Sequence, residues 1–308
     1  MYDTVNFKIE RAGLFGANSF DIKRYLSNVT EWKNKNGSNY TGNAENYKIT
    51  VSEKGIISLS GSLSKYYFGD NLQSLTRRDT KQAIDKLSDL IHLDFRKAKV
   101  TRFDIAGNIL TQRQPADYYP YLGSKQYFER VQATTNTLYY NNHQKQLCFY
   151  NKAKQAATKK IPIPTELQNE NLLRYELRYS NHINKQFKTD VTATMLYEEA
   201  FYSLVPQNWY NEFNSIETTK SNNFMPNVRT IKQAERAAFA RLLQNAGQPF
   251  IDEIISDCKA NKRFKHRADY SKLKAKLKKL IVASDFEDNS DLIKELKLKI
   301  YEIARDAR

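Results

Sequence analysis

The sequence predicts an α+β fold: an antiparallel-rich central β-sheet with flanking helices, followed by a helical C-terminal region. Three observations carry this prediction. Short segments spread between Tyr2 and Tyr179 alternate polar and apolar residues with a period of two, as strands with one solvated face do. Within them, Thr76 to His92 places Ile84, Leu87 and Ile91 at helical spacing. After about Asn223 the strand patterns cease and helix signals replace them. The expected organisation is a domain over 1–205, a linker over 206–228 and a basic helical region over 229–308.

Each element has its own signal. "YDTVNFKI" alternates well enough for a first strand, and "NYKITVSEKGIISLSGSLSKYYFG" reads as a hairpin turning at "EKG". After the Thr76 helix, "KAKVTRFDIAGNIL" returns to strand, with β-branched and aromatic residues on one parity. "NTLYYNNHQKQLCFYNK" reads as two strands around an Asn-rich turn. The prolines of "IPIPTELQNEN" forbid regular pairing and mark a connector before the strand "NLLRYELRYS". Farther on, Thr230 and Gln233 form a capping box for a helix that Gly247 should stop. A second helix is expected from Phe250 to Lys259, after Pro249. In "CKANKRFKHRADYSKLKAKLKKL", Leu273, Leu277 and Leu280 would face inward with lysines covering the rest, either as a solvated helix docked on the core or as a surface for DNA or a protein partner. Ile293, Leu296, Ile300 and Ile303 mark the last helix.

Composition narrows the function. The chain has 308 residues and a net charge of +15, a balance that favours polyanionic partners, nucleic acid first among them. Its 20 tyrosines and 16 phenylalanines add ring faces that could stack on unpaired bases, although most should be core. No apolar run is long enough to span a membrane and no signal-peptide pattern follows Met1, so a cytoplasmic protein without a membrane partner is expected. Two cysteines, Cys148 and Cys258, make neither a disulfide framework nor a zinc site.

Three strands carry charge on one face. Arg102, Asp104, Ala106 and Asn108 share a face, as do Arg174, Glu176 and Arg178, and as do Tyr150 and Lys152 in the strand "LCFYNK". Plain alternation in a half-solvated sheet would give the same parity. The residue types point further. Two carboxylates on adjacent strands can hold a hard divalent cation, Mg²⁺ or Mn²⁺. A phenol, ordinarily a poor nucleophile at neutral pH, is expected to be eased toward its phenolate by Lys152 and the metal. Together they suggest attack by Tyr150 on a phosphodiester. Arg102, Arg174 and Arg178, with Lys145, Arg77 and Arg78, are the candidate DNA contacts, and the Lys259–Lys279 stretch adds further phosphate partners.

In order along the chain, "SKYYFGDNLQSL", "VTRFDIAGN", "LCFYNKAKQ" and "LLRYELRYSNHINKQF" resemble the replication initiators of filamentous phages. The last three also resemble those of staphylococcal rolling-circle plasmids. The resemblance implies an enzyme that nicks one strand of single-stranded or hairpin origin DNA, holds its 5′ end as a phosphotyrosine, and later rejoins it. It places the nucleophile at Tyr150 and the two motif acids at Asp104 and Glu176. It also implies a host helicase as partner and the bacterial cytoplasm as location. Two positions depart from the plasmid pattern: Asn108 stands where a second aspartate is found, and Arg178 where a second glutamate is found. Another acid could complete a metal shell, and the phage pattern, which lacks these extra acids, is nearer.

Another class of tyrosine nickase binds metal through two histidines flanking a hydrophobic residue. His92, His143, His182 and His266 are scattered and form no such pair. Three functions stay open at this level: a nicking and joining enzyme, a non-catalytic origin-binding initiator that melts DNA, and a basic scaffold or RNA-binding protein. Tyr139 and Tyr140 are the leading substitutes should Tyr150 not be the nucleophile.

Overall fold

The computed structural model describes residues 1–10, 19–35, 37–218, 230–282 and 290–307. The chain divides into two compact units, Met1–Thr218 with Leu292–Arg308, and Thr219–Asp291. The first holds a 10-stranded sheet in which every neighbouring pair is antiparallel. Its strands are β1 (Tyr2–Ile9), β2 (Ser27–Asn34), β3 (Gly37–Ala44), β4 (Tyr47–Ser52), β5 (Ile57–Ser62), β6 (Lys99–Leu110), β7 (Glu129–Thr134), β8 (Thr137–Asn141), β9 (Lys145–Asn151) and β10 (Leu172–Tyr179). They lie in the order β2-β3-β4-β5-β1-β6-β10-β9-β8-β7, which puts β6, β10 and β9 side by side in the middle. The α+β class expected from the sequence is the class observed.

Three strands leave no readable signal in the sequence. β2, the outer strand of the β2–β3 hairpin, is an almost wholly exposed edge, so no apolar parity announces it or its partner. β7 is the opposite edge and buries equally little. The turn at "EKG" is present, with Gly55 in the left-handed region at φ 75°. The strand following it ends sooner than expected. Ser62 accepts a hydrogen bond from the Lys65 amide and caps a short helix, α1 (Leu63–Phe68), which Gly69 closes. The next helix, α2 (Arg77–Leu90), begins at Thr76, whose capping box with Asp79 fixes the start.

The strand pattern also fails just past Tyr150. Asn151 accepts from the Lys154 amide at 2.9 Å and opens α3 (Lys152–Thr158), so Lys152 is a helix residue. After α4 (Ile183–Phe187), the linker expected from residue 206 is instead the second half of α5 (Glu199–Asn214). Pro206 lies inside that helix. Phe201, Tyr202, Val205, Trp209 and Phe213 are buried along α5, and this burial outweighs the missing amide. Residues 219–229, which take in the expected linker beyond residue 218, lie outside the described residues.

The second unit is a helical pair, α6 (Ile231–Ala260) and α7 (Arg267–Val282). Gly247 and Pro249 do not divide α6 as expected; Leu243, Ile251 and Ile255 bury together with Leu277 of α7 and keep one helix through both. Leu273 packs at the edge of that cluster, and the Leu280 side chain lies outside the described residues. Lys272, Lys276, Lys278 and Lys279 remain exposed.

The last helix, α8 (Ser290–Asp306), belongs to the first unit rather than to the basic region grouped with it in the sequence. Leu296 and Ile300 are fully buried there. Glu295 of α8 accepts the Tyr118 hydroxyl at 2.5 Å and the Gln112 amide at 3.0 Å. Against the same face, a Cβ built on Gly107 of β6 would stand 2.9 Å from the Trp209 ring and 3.4 Å from Ile303. Gly107→Ala should therefore lower the unfolding free energy by about 1–3 kcal/mol through overpacking. Urea denaturation followed by tryptophan fluorescence measures this, and an unchanged midpoint would contradict the packing described.

Candidate active site

Antiparallel register builds the site. Across β6, β10, β9 and β8, directly opposed residues form three rows: Asn108, Arg174, Tyr150 and Thr137; then Ala106, Glu176, Cys148 and Tyr139; then Asp104, Arg178, Gln146 and Asn141. All twelve point to one face, since each row is displaced from the next by two residues. The other face is the aromatic core, where Phe149 and Tyr175 stack at 4.5 Å and Tyr175 stacks on Trp209 at 4.7 Å. Small residues, Ala106 and Cys148, flank Glu176, so the long side chains of the adjacent rows can lean toward it.

They do. The Tyr150 hydroxyl donates to Glu176 Oε1 at 2.7 Å, and Arg174 Nε donates to the same oxygen at 2.8 Å. Arg178 donates to Glu176 Oε2 through both Nε and Nη2, at 2.9 and 2.6 Å. Arg102 forks onto Asp104 at 2.9 and 2.7 Å. Arg178 Nε also stands 3.9 Å from Asp104 Oδ2, so one guanidinium lies between the two acids.

A third acid joins them. Between Tyr2, opposite Ile105, and Val5, opposite Phe103, two residues of β1 face the single residue Asp104. This bulge brings Asp3 onto the site face, where it accepts from Arg174 and from Asn71 Nδ2, the latter at 3.1 Å. Arg174 is thereby enclosed: its remaining donors reach the Asn71 carbonyl at 2.8 Å and Asn108 Oδ1 at 3.0 Å. Sequence reasoning finds neither Asp3 nor Asn71. The available signal is an acid in an otherwise core-forming strand; placing it needs the bulge.

The titration behaviour follows from burial and these pairings. Burial drives the Asp3 carboxyl upward, but Arg174 and the Ser62 and Asn71 hydrogen bonds outweigh it and hold the group at about 2. Burial likewise raises Glu176, and Arg174 with Arg178 more than offsets it, leaving the carboxyl below its ordinary value. Asp104 goes the other way: its burial exceeds the help from Arg102, and its pKa is raised. Burial pushes the Tyr150 phenol well above its ordinary value, against Arg174 and assisted by Glu176. The phenol at rest is therefore protonated.

Several expected roles change. Lys152 does not touch the phenol; its Nζ donates to Asn71 Oδ1 at 2.7 Å and to Gln155 Oε1 at 3.1 Å, because the strand ends at Asn151. Burial, then Arg174, lowers Lys152 to about 8. Arg174 is too buried and too fully bonded to meet a phosphate. Lys145 projects from the opposite face of β9 and pairs with Glu212 at 2.6 Å. Arg77 and Arg78 stand exposed in the first turn of α2, where Arg77 pairs with Glu199 at 3.1 Å, outside the three rows. Arg102 and Arg178 form the accessible rim, with side chains 36% and 24% exposed. Among the substitute tyrosines, Tyr140 is buried on the core side with its hydroxyl on the Leu122 and Gly123 carbonyls, whereas Tyr139 shares the site face.

Carboxylates on neighbouring strands suit a hard divalent cation in kind. In this arrangement each oxygen of Asp104 and Glu176 already accepts a hydrogen bond, and among the described residues no group of three or more His, Cys, Asp or Glu side chains is placed to hold a metal ion. An ion could reach Asp104 and Glu176 only if the rim guanidiniums of Arg102 and Arg178 turned away.

A family model for the N-terminal region of a phage replication-associated protein matches residues 1–201, which include all ten strands and every residue of the three rows. No curated protein matches the chain. Among the described residues no helix is long and apolar enough to cross a membrane.

The ring of bonds around Arg174 makes a prediction. Asp3→Asn removes one charge from a buried pair and should cost about 3 kcal/mol of stability at pH 7. Because folding depresses the Asp3 pKa to about 2, its stabilisation is full above the ordinary aspartate value of roughly 3.9 and is lost as pH falls toward 2. Denaturation of wild type and variant across that range should show the gap closing on acidification; a constant gap would contradict the ionised pair.

Proposed function

Because the chain belongs to the phage family of replication-associated proteins whose N-terminal region it matches, a family of rolling-circle replication initiators, we propose that it nicks and rejoins one strand of origin DNA through Tyr150. The observation that carries this reading is the 2.7 Å hydrogen bond from the Tyr150 hydroxyl to Glu176, on a face rimmed by Arg102 and Arg178. A strand of single-stranded or hairpin DNA would bring a phosphodiester to that rim, where the guanidiniums bind its charge.

The step balances as a transesterification. The phenol oxygen bonds to phosphorus, the bond from phosphorus to the 3′ oxygen breaks, and the phenolic proton passes to Glu176. The departing 3′ oxygen takes a proton from solvent. The products are a 5′-phosphotyrosyl ester and a free 3′-OH, and the reverse step rejoins the strand. Resting Tyr150 is protonated and oriented, so deprotonation is coupled to arrival of the phosphate. Arg178 would exchange its bonds to Glu176 for bonds to phosphate, raising the basicity of that carboxylate when it is needed. Mg²⁺ or Mn²⁺, held by Asp104 and Glu176 once the rim guanidiniums have moved, would supply charge neutralisation at the scissile phosphoryl group. The exposed lysines of α7 add sequence-independent affinity that weakens with salt.

One observation favours a second reading, in which the protein binds and opens the origin without cutting it: both oxygens of Asp104 and of Glu176 are occupied, and the phenol is protonated. Incubation of the full chain with origin oligonucleotides and Mg²⁺ or Mn²⁺, followed by mass spectrometry of the cross-linked peptide, separates the two. The expected result is an adduct on Tyr150 that Tyr150→Phe abolishes while DNA binding persists. Glu176→Gln should slow adduct formation by about 10²–10⁴-fold. Binding with no adduct would establish the second reading, and an adduct on Tyr139 would move the nucleophile one strand over.

A further inference from the structure

Beside Tyr150 the site face continues into a cleft of about 380 Å³ that the chemistry above does not use. Its walls come from the β7–β8 turn, β8, β9, α3 and β10, all within the first unit. The Tyr139 ring lines it from β8, in the same row as Glu176 and Cys148. Lys154 of α3 and Lys159, the residue just past its end, also line it, both exposed, and Lys154 Nζ is steered toward the turn by Asn136 Oδ1 at 3.0 Å. Arg178 and Tyr150 close the end nearest the acids.

We infer that this cleft is a subsite for one unpaired nucleotide of the cut strand, adjoining the phosphate presented to Tyr150. The inference rests on the nicking reaction proposed above and adds to it the form in which the strand must arrive. Three features select that ligand. The volume is at the small end of ligand sites, enough for one nucleotide and too little for a base pair. A partly buried tyrosine ring offers a flat face for a base, and stacking of this kind accepts any base. Two ammonium groups and a guanidinium line the same cleft, cations of the kind that bind the backbone phosphates flanking a base. Asn136 supplies an amide edge. A duplex would have to open, and its base turn out, before the strand could seat.

The test reads binding rather than cutting, so that it stands or falls separately from the nucleophile assignment. Full-length Tyr150→Phe protein is titrated with single-stranded origin oligonucleotides in which each nucleotide in turn is replaced by an abasic residue. One position should weaken binding about tenfold, the scale of a lost stack. Adding Tyr139→Leu should erase the difference between that oligonucleotide and the intact one, whereas Tyr139→Phe should preserve it. An abasic profile unaffected by Tyr139→Leu overturns the inference. Lys154→Gln with Lys159→Gln provides an independent arm that leaves the sheet untouched: the slope of log affinity against log salt should fall by about 1–2, and an unchanged slope also overturns it. A free deoxynucleoside monophosphate should compete only weakly; tight competition with no position dependence along the strand would assign the cleft to free nucleotide instead. Coupling at one position, together with no adduct on any tyrosine of the wild-type chain, would leave the nucleotide subsite standing and remove the nicking reading.

Discussion

One buried guanidinium holds the site face together. Arg174 ties β10 to β1 through Asp3, to β6 through Asn108, to the segment before α2 through the Asn71 carbonyl, and to its own strand through Glu176. A charge this deeply enclosed is tolerable only when every donor is matched, because a single lost partner leaves the rest uncompensated. The consequence is geometric. Glu176 and Asp3 cannot drift, and the Tyr150 hydroxyl, which shares Glu176 Oε1 with Arg174, inherits a fixed direction.

The same enclosure sorts the charges by depth. Arg174 is interior and structural, whereas Arg102 and Arg178 carry the same functional group at the rim, where solvent and a polyanion can compete for it. The carboxyls divide as well. Glu176, between two guanidiniums, is kept ionised, and Asp104, with more burial than compensation, is pushed toward its protonated form. Groups whose environments separate them in this way suit different parts in one reaction. An acid held ionised thus stands beside a phenol held neutral, joined to it by one hydrogen bond.

Much of this face is legible because β6, β9 and β10 are central strands with one apolar and one polar parity. Phe103, Ile105, Phe149, Tyr175 and Leu177 announce the core side and leave Asp104, Tyr150 and Glu176 on the other. What escapes does so for local reasons. Asp3 reaches the face through a bulge, and a bulge breaks the parity on which the reading depends. Lys152 is misread because Asn151, a helix cap as readily as a strand residue, ends the period of two. Pro249 reads as a break and residue 206 as the start of a linker, yet Pro249 and Pro206 each lie inside a helix whose buried residues hold it together. The edge strands β2 and β7 bury too little to leave a pattern at all.

The position of α8 bears on how such a protein is made. Gly107 and Trp209 are laid down before the second unit, but Ile303, which completes the wall against them, follows the whole of it. A nascent chain would hold the sheet with that flank bare while the α6–α7 pair emerged from the ribosome and folded. Closure of the first unit therefore waits for α8, and a message cut short within the helical insert would yield a sticky, half-walled sheet prone to chaperone capture.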